Sequence, residues 1–121
     1  VVIDLVSTLL AESEEKIALA EGALADGATR DSVYFSYQSL LNTAKALLIA
    51  EQVKTNTQVG IIKQFQELFI ETKKIEGLSS FEELVLKIKN EEPNSTLARK
   101  YIVDARWLYH QAINLRKEVA I

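Results

Sequence analysis

The stretch from Ser32 to Glu51 constrains the fold of this chain more than any other, because its apolar residues recur at helical spacing around most of a helix. Two neighbouring apolar seams share this helix: Tyr34, Tyr37, Leu41, Ala44 and Leu48 on one, and Val33, Leu40 and Leu47 on the other. A single adjacent helix covers only one such seam. The pattern therefore predicts a buried central helix that is surrounded by the other helices.

Length and composition narrow the choice of architecture. The 121 residues correspond to one domain, residues 1–121, with a single core. The net charge is −3 and the lysines and glutamates are mixed along the chain, which disfavours DNA or RNA binding. The chain has no cysteine, so it has no disulfide or thiolate metal site, and this agrees with a cytoplasmic location. The opening VVIDLV contains Asp4 and lacks basic residues, so we expect neither a secretory leader nor a membrane span.

The chain also contains no methionine. Val1 is therefore not an initiator, and the apolar residues 1–3 are an unusual free terminus for a processed protein. We expect a fragment of a larger chain, with an upstream domain as its partner. The alternative is a small protein from which terminal residues were trimmed.

The first helix is predicted over Asp4–Ala25 and ends at the pair Asp26-Gly27. Its apolar stripe consists of Ile3, Val6, Leu10, Ile17, Ala20 and Leu24. Ser13 fills the remaining position of the repeat, and Leu5 and Leu9 widen the stripe. Its glutamates are interpreted as a solvated face. A helical di-metal site needs Glu-x-x-His pairs, and Trp107 occupies the position that such a Glu would need before His110, so no metal is expected.

The second helix is predicted to begin with Thr29 or Asp31 as its cap. Its one polar strip consists of Ser36, Ser39 and Thr43, with Gln38, Asn42 and Lys45 close to it. We interpret this strip as facing water, with Asn42 in a helix interface as the alternative.

Three further helices are predicted. The third follows Thr57 as a cap and buries Ile61, Ile62, Phe65, Leu68 and Phe69; a short fourth follows Ser79 and Ser80 and buries Phe81, Leu84, Val85 and Ile88. The last, Ser95–Val119, has a seam of alternating small and large residues: Ala98, Tyr101, Ala105, Leu108, Ala112, Leu115 and Val119. Val103 and Trp107 lie off this seam, and the indole either packs under a loop or forms a self-association surface. The predicted fold is all-α, an up-and-down four-helix bundle with a short additional helix.

A first helix ending in ALAEGALADG and a second reading SVYFSYQSLLNTAKALLIAE, with AKALL at Ala44–Leu48, resemble the HEPN domains, nucleotide-binding domains of higher eukaryotes and prokaryotes. The polar break before Phe65 and Phe69 and the long closing helix extend the resemblance over most of the chain. The resemblance implies a HEPN-like helical bundle that is often dimeric and is associated with nucleotide binding, with toxin ribonucleases or with tails on larger enzymes.

Catalytic residues do not follow from the resemblance. Ribonucleases of the family use an arginine, a polar neighbour and a histidine four to six intervening residues later. Here the candidates are Arg106 and His110, with three residues between them and Trp107 as the neighbour, on the last helix. Their i, i+4 spacing places a cation and a titratable base on one face, as phosphate chemistry requires. We nevertheless interpret them as surface or interface residues and expect no catalytic residue.

Two functions from different classes remain. The first is a non-catalytic accessory domain of a larger enzyme, mediating homodimerisation or ligand-dependent regulation; the opening VVIDLVSTLLAESEEKIALAEGAL resembles tails of sulfite or nitrite reductase-like enzymes. No cofactor is expected in the domain itself, because an iron-sulfur cluster needs cysteine. The second is a ribonuclease or nucleotide-binding module that uses Arg106 and His110. Nucleotide binding through a glycine loop is not expected, because the glycines are scattered singly. A crevice between helices could accept a nucleotide ligand through Tyr37, Asn42 or Lys45, although nothing in their spacing requires it.

Overall fold

The computed structural model describes residues 4–119, with side chains up to Arg116. The chain folds into α1 (Leu5–Ala25), α2 (Thr29–Ala50), α3 (Gln58–Phe65) with a π-helical extension (Gln66–Ile70), α4 (Phe81–Asn90) and α5 (Ser95–Val119). The part of the chain that is described contains no strand. The predicted all-α bundle with a short additional helix, α4, is therefore confirmed.

Helix α2 is the central element, as predicted, since it contacts α1, α3, α4 and α5. Its two seams are buried, with Leu40, Ala44 and Leu48 at 0% exposure. The placement of Tyr34 on the buried seam is wrong, because 56% of this residue is exposed. It lies at a shallow depression between the first turns of α2 and the end of α4, and its hydroxyl accepts a hydrogen bond from the Gln38 amide.

The polar strip of α2 does not face water, contrary to the sequence prediction. Ser36, Ser39 and Thr43 are all at 0% exposure, and Ser39 and Thr43 lie opposite Ser13 of α1, which is also at 0%. The Ser13 hydroxyl lies 2.9 Å from the Ser39 carbonyl oxygen, 2.7 Å from Ser39 Oγ and 2.6 Å from Thr43 Oγ1. The hydroxyls of Ser13, Ser39 and Thr43 satisfy one another, which permits their burial, and the small size of these side chains lets the two backbones approach closely.

Side-chain caps define most helix starts. Asp4 accepts from the Ser7 amide, Thr57 from the Gly60 amide and Ser80 from the Glu83 amide, which confirms the predicted caps of α3 and α4. The predicted cap of α2 is wrong: Ala28 holds the N-cap position, no side chain caps it, and Thr29 is already helical. The short turn before it is as predicted, with Gly27 in the left-handed region at φ 80°.

The π-helical turn after α3 was not predicted. Its i+5 bond runs from the Glu71 amide to the Gln66 carbonyl. The Gln66 side chain is buried, and its Oε1 accepts a 2.7 Å hydrogen bond from the Phe81 amide at the start of α4. Around this link, Phe65 stacks on Phe69 and packs edge-on against Phe81. Gln66 therefore joins the end of α3 to the beginning of α4, which runs back beside α3.

Helix α5 runs antiparallel to α1, because Arg106 pairs with Glu21 and Arg116 pairs with Asp4. The predicted seam is buried from Ala98 through Ala112, and Leu115 is half-buried. Ile3, predicted for the α1 stripe, and the side chain of Val119, predicted for the α5 seam, lie outside the described residues.

Candidate functional site

Arg106 and His110 lie one turn apart on the exposed side of α5. A guanidinium nitrogen of Arg106 donates to Glu21 Oε1 on α1 across 2.5 Å, with the two side chains about half exposed. The imidazole of His110 is exposed and packs edge-on beside Tyr109, with ring centres 5.8 Å apart. The structure thus keeps the pair on one face but gives the arginine a carboxylate partner.

The Glu21 carboxylate changes what Arg106 can do chemically. A guanidinium stabilises a phosphate by donating two parallel hydrogen bonds to its oxygens, and here a carboxylate already accepts from it. A substrate phosphate at this guanidinium would meet the negative charge of Glu21. As arranged, Arg106 links α5 to α1.

Tyr37, Asn42 and Lys45 do not converge on one site. Tyr37 is buried, donates from its hydroxyl to Gln58 Oε1 at 2.8 Å, and has the Lys89 ammonium 5.7 Å from its ring centre. Asn42 and Lys45 are half-buried further along α2. At about 100° per residue, Asn42 lies roughly 140° around the helix from Tyr37, so the two side chains leave on different faces.

Trp107 packs under a loop, which is one of the two alternatives that the sequence left open. It lines a cavity with Gly77 and Leu78, above a floor that includes Leu40 and Leu108. A Cβ added to Gly77 would lie 2.9 Å from Cζ2 of the indole, so the absence of a side chain there lets the loop close over the ring.

A groove between α3 and α4 was missed by the sequence reasoning. Val59, Ile62 and Lys63 line one side, and Ser80, Glu82, Glu83, Val85, Leu86 and Lys89 line the other. Val59 is 73% exposed and Leu86 is 57% exposed, so two large apolar side chains face solvent together. Leu86 was overlooked because it lies off the buried stripe of α4.

No cluster of three or more histidine, aspartate or glutamate side chains in the described residues is arranged to hold a metal ion. None of the helices described is both long and apolar enough to cross a bilayer.

A family model described as the HEPN domain matches residues 6–119, which is nearly the whole chain. No curated protein and no solved structure matches the chain significantly.

Proposed function

The chain belongs to the HEPN domain family, and on that basis we propose that it is a non-catalytic interaction module that dimerises and serves as an accessory domain of a larger enzyme. Its role is to join copies of that enzyme or to regulate them in response to a ligand, while the chemistry belongs to the rest of the parent protein.

The observation that supports the non-catalytic part of this proposal is the ion pair of Arg106 with Glu21. In this pair the Glu21 carboxylate binds Arg106, the arginine that lies one helical turn before His110, the single histidine of the chain. The three-residue gap and the tryptophan neighbour also depart from the pattern of the family's ribonucleases.

The parent enzyme is proposed from the resemblance of the opening segment to tails of sulfite or nitrite reductase-like enzymes. The domain itself has no cysteine with which to ligate an iron-sulfur cluster, so the proposal assigns it no cofactor. We also propose a cytoplasmic location, because a chain without cysteine fits a reducing compartment.

The competing function is a ribonuclease or nucleotide-binding module, favoured only by the i, i+4 spacing of half-exposed Arg106 and exposed His110 on α5. The purified chain is incubated with single-stranded RNA beside three variants, Arg106→Ala, His110→Ala and Glu21→Gln. The last keeps the size of the side chain but removes the charge that occupies Arg106. We expect no cleavage by any of the four proteins.

Cleavage by the unmodified chain that disappears in both alanine variants would refute the non-catalytic proposal. Cleavage that appears only in Glu21→Gln would do so as well, because it would show a catalytic arginine that is held inactive.

A further inference from the structure

The exposed face of α4 has an ordered sequence of charges. Glu82 and Glu83 lie in its first turn, Leu86 lies at its middle and Lys89 lies in its last turn, and all four side chains are exposed. Glu82 and Leu86 are four residues apart and Leu86 and Lys89 are three apart, so they follow one stripe along the helix. The stripe reads negative, apolar, positive.

A stripe of this kind is complementary to itself when it is reversed. A two-fold axis through Leu86 places two copies of α4 antiparallel, with the two leucines in contact at the axis. Lys89 then lies about 5 Å along the helix on one side of the axis, and the two glutamates lie about 5 to 6 Å along on the other side, from the rise of 1.5 Å per residue. Lys89 of each copy thus faces Glu82 and Glu83 of the other.

Helix α3 widens the apolar centre of this face. It runs beside α4 in the opposite direction, because Gln66 bonds the start of α4 while Gln58 and Lys89 both contact Tyr37. Val59 and Ile62 therefore lie next to Leu86 in the same groove. Val59 is the most exposed large apolar residue in the described part of the chain.

We propose that the α3–α4 groove is the surface through which two copies of this chain pair, by antiparallel contact of their α4 helices about Leu86. The inference rests on the proposed dimerisation and names the surface that performs it.

Charge balance selects a second copy over other occupants. The groove carries Lys63 and Lys89 against Glu82 and Glu83, so its formal charge sums to zero. Nucleic acid or an anionic membrane attracts a surface with an excess of positive charge. A partner with one sign of charge would leave two of the four groups opposed by like charge, whereas a second copy supplies both signs in the reversed order.

Charge exchange between two variants tests this surface directly. One variant carries Glu82→Lys with Glu83→Lys and the other carries Lys89→Glu. A dimer of either variant alone would bring like charges together at both ends of the α4 pair. A mixed dimer, with one copy of each variant, would bring unlike charges together at both ends. Sedimentation equilibrium should show each variant as a monomer where the unmodified chain is dimeric, and a dimer in the mixture.

A second pair of variants protects the test against simple unfolding. Leu86→Glu places two carboxylates at the proposed axis and should weaken dimerisation at least about 30-fold, as expected for a central interface residue. Val103→Glu is the matched control, because Val103 is 62% exposed on α5. It should leave the dimer intact, and circular dichroism should show all variants folded.

The outcomes separate the surface from the function. If the unmodified chain is monomeric throughout, the proposed dimerisation itself fails. If the chain dimerises but Leu86→Glu still dimerises as tightly, or the mixed charge variants stay monomeric, then the assignment to α4 is overturned while dimerisation stands.

Discussion

The hydroxyl cluster between α1 and α2 gives the sharpest stability prediction, and Ser13→Ala is the change that tests it. Ser13 Oγ contacts Ser39 Oγ and Thr43 Oγ1 at 2.7 and 2.6 Å in a region without solvent access. The substitution removes only the oxygen, so it leaves the helix propensity favourable and the packing nearly unchanged.

The expected magnitude follows from the partners that are left behind. Each lost hydrogen bond contributes about 0.5 to 1.5 kcal/mol net, and a buried hydroxyl left unpaired costs about 1 to 3 kcal/mol. The hydroxyls of Ser39 and Thr43 can each turn to a backbone carbonyl four residues earlier in α2, which limits the loss. We expect Ser13→Ala to lower the free energy of unfolding by about 2 kcal/mol, which corresponds to a decrease in Tm of roughly 8 °C for a domain of this size.

Ser36→Ala is the matched control, because Ser36 is equally buried on α2 but its hydroxyl has no hydrogen-bond partner among the described residues. Its removal should change the free energy of unfolding by less than about 0.5 kcal/mol or raise it. Urea unfolding followed by circular dichroism measures both variants. Equal destabilisation by the two substitutions would refute the reasoning, since their difference lies in hydrogen bonding alone.

Three other predictions concern separate parts of the fold. Gly77→Ala should lower the free energy of unfolding by about 1 to 3 kcal/mol, because Gly77 has φ 104° and the new Cβ would lie 2.9 Å from Trp107. A shift in the fluorescence emission of Trp107, the single tryptophan of the chain, would report the displacement of its indole. Unchanged emission and unchanged stability would contradict the prediction. Tyr101→Phe should leave stability unchanged or raise it by up to about 1 kcal/mol, because the hydroxyl is buried without a partner among the described residues. Burial raises the pKa of Tyr101, so its ionisation does not affect stability below pH about 10 and destabilises the fold as the pH rises from there through the higher folded value. The phenylalanine variant should lose part of this alkaline destabilisation in urea titrations, and an identical alkaline profile would count against it. Hydrogen bonds from the Ser7 hydroxyl and amide lower the pKa of Asp4, so its stabilising contribution is present above pH about 4 and is lost as the pH falls through the lower folded value. The variant Asp4→Asn keeps a capping side chain and should flatten the dependence of stability on pH below pH about 4. An unaltered acid profile would exclude this role of Asp4.

The helix order and most caps were predictable because they depend on local signals. Thr57 and Ser80 each precede an apolar helical pattern, and a side-chain oxygen at that position satisfies a free amide whatever the rest of the fold does. Gly27 follows the end of α1 as expected, because glycine readily adopts the left-handed backbone conformation that ends a helix. The central position of α2 followed from its two seams, since apolar periodicity on adjacent faces requires two partners.

The hydroxyl cluster was predicted wrongly because sequence polarity does not reveal whether a hydroxyl has a partner. Ser39 and Thr43 are polar residues on α2 when read alone, and their burial depends on Ser13, which is about 30 residues away. A signal existed, because Ser13 interrupted the apolar stripe of α1. Pairing that interruption with the polar strip of an antiparallel neighbour would have identified the cluster.

The candidate site was only partly predictable. The spacing of Arg106 and His110 was visible in sequence, but the partner that occupies Arg106 lies on another helix, 85 residues earlier. The α3–α4 groove depends on how two short helices turn around Gln66, whose π-helical bond leaves no mark in apolar periodicity.

Sedimentation velocity of the unmodified chain over a wide concentration series is the decisive measurement for the proposed self-association of this HEPN domain. We expect a reversible increase in mass from 13.6 kDa to twice that value as the concentration rises. A single species of 13.6 kDa at every concentration would contradict it.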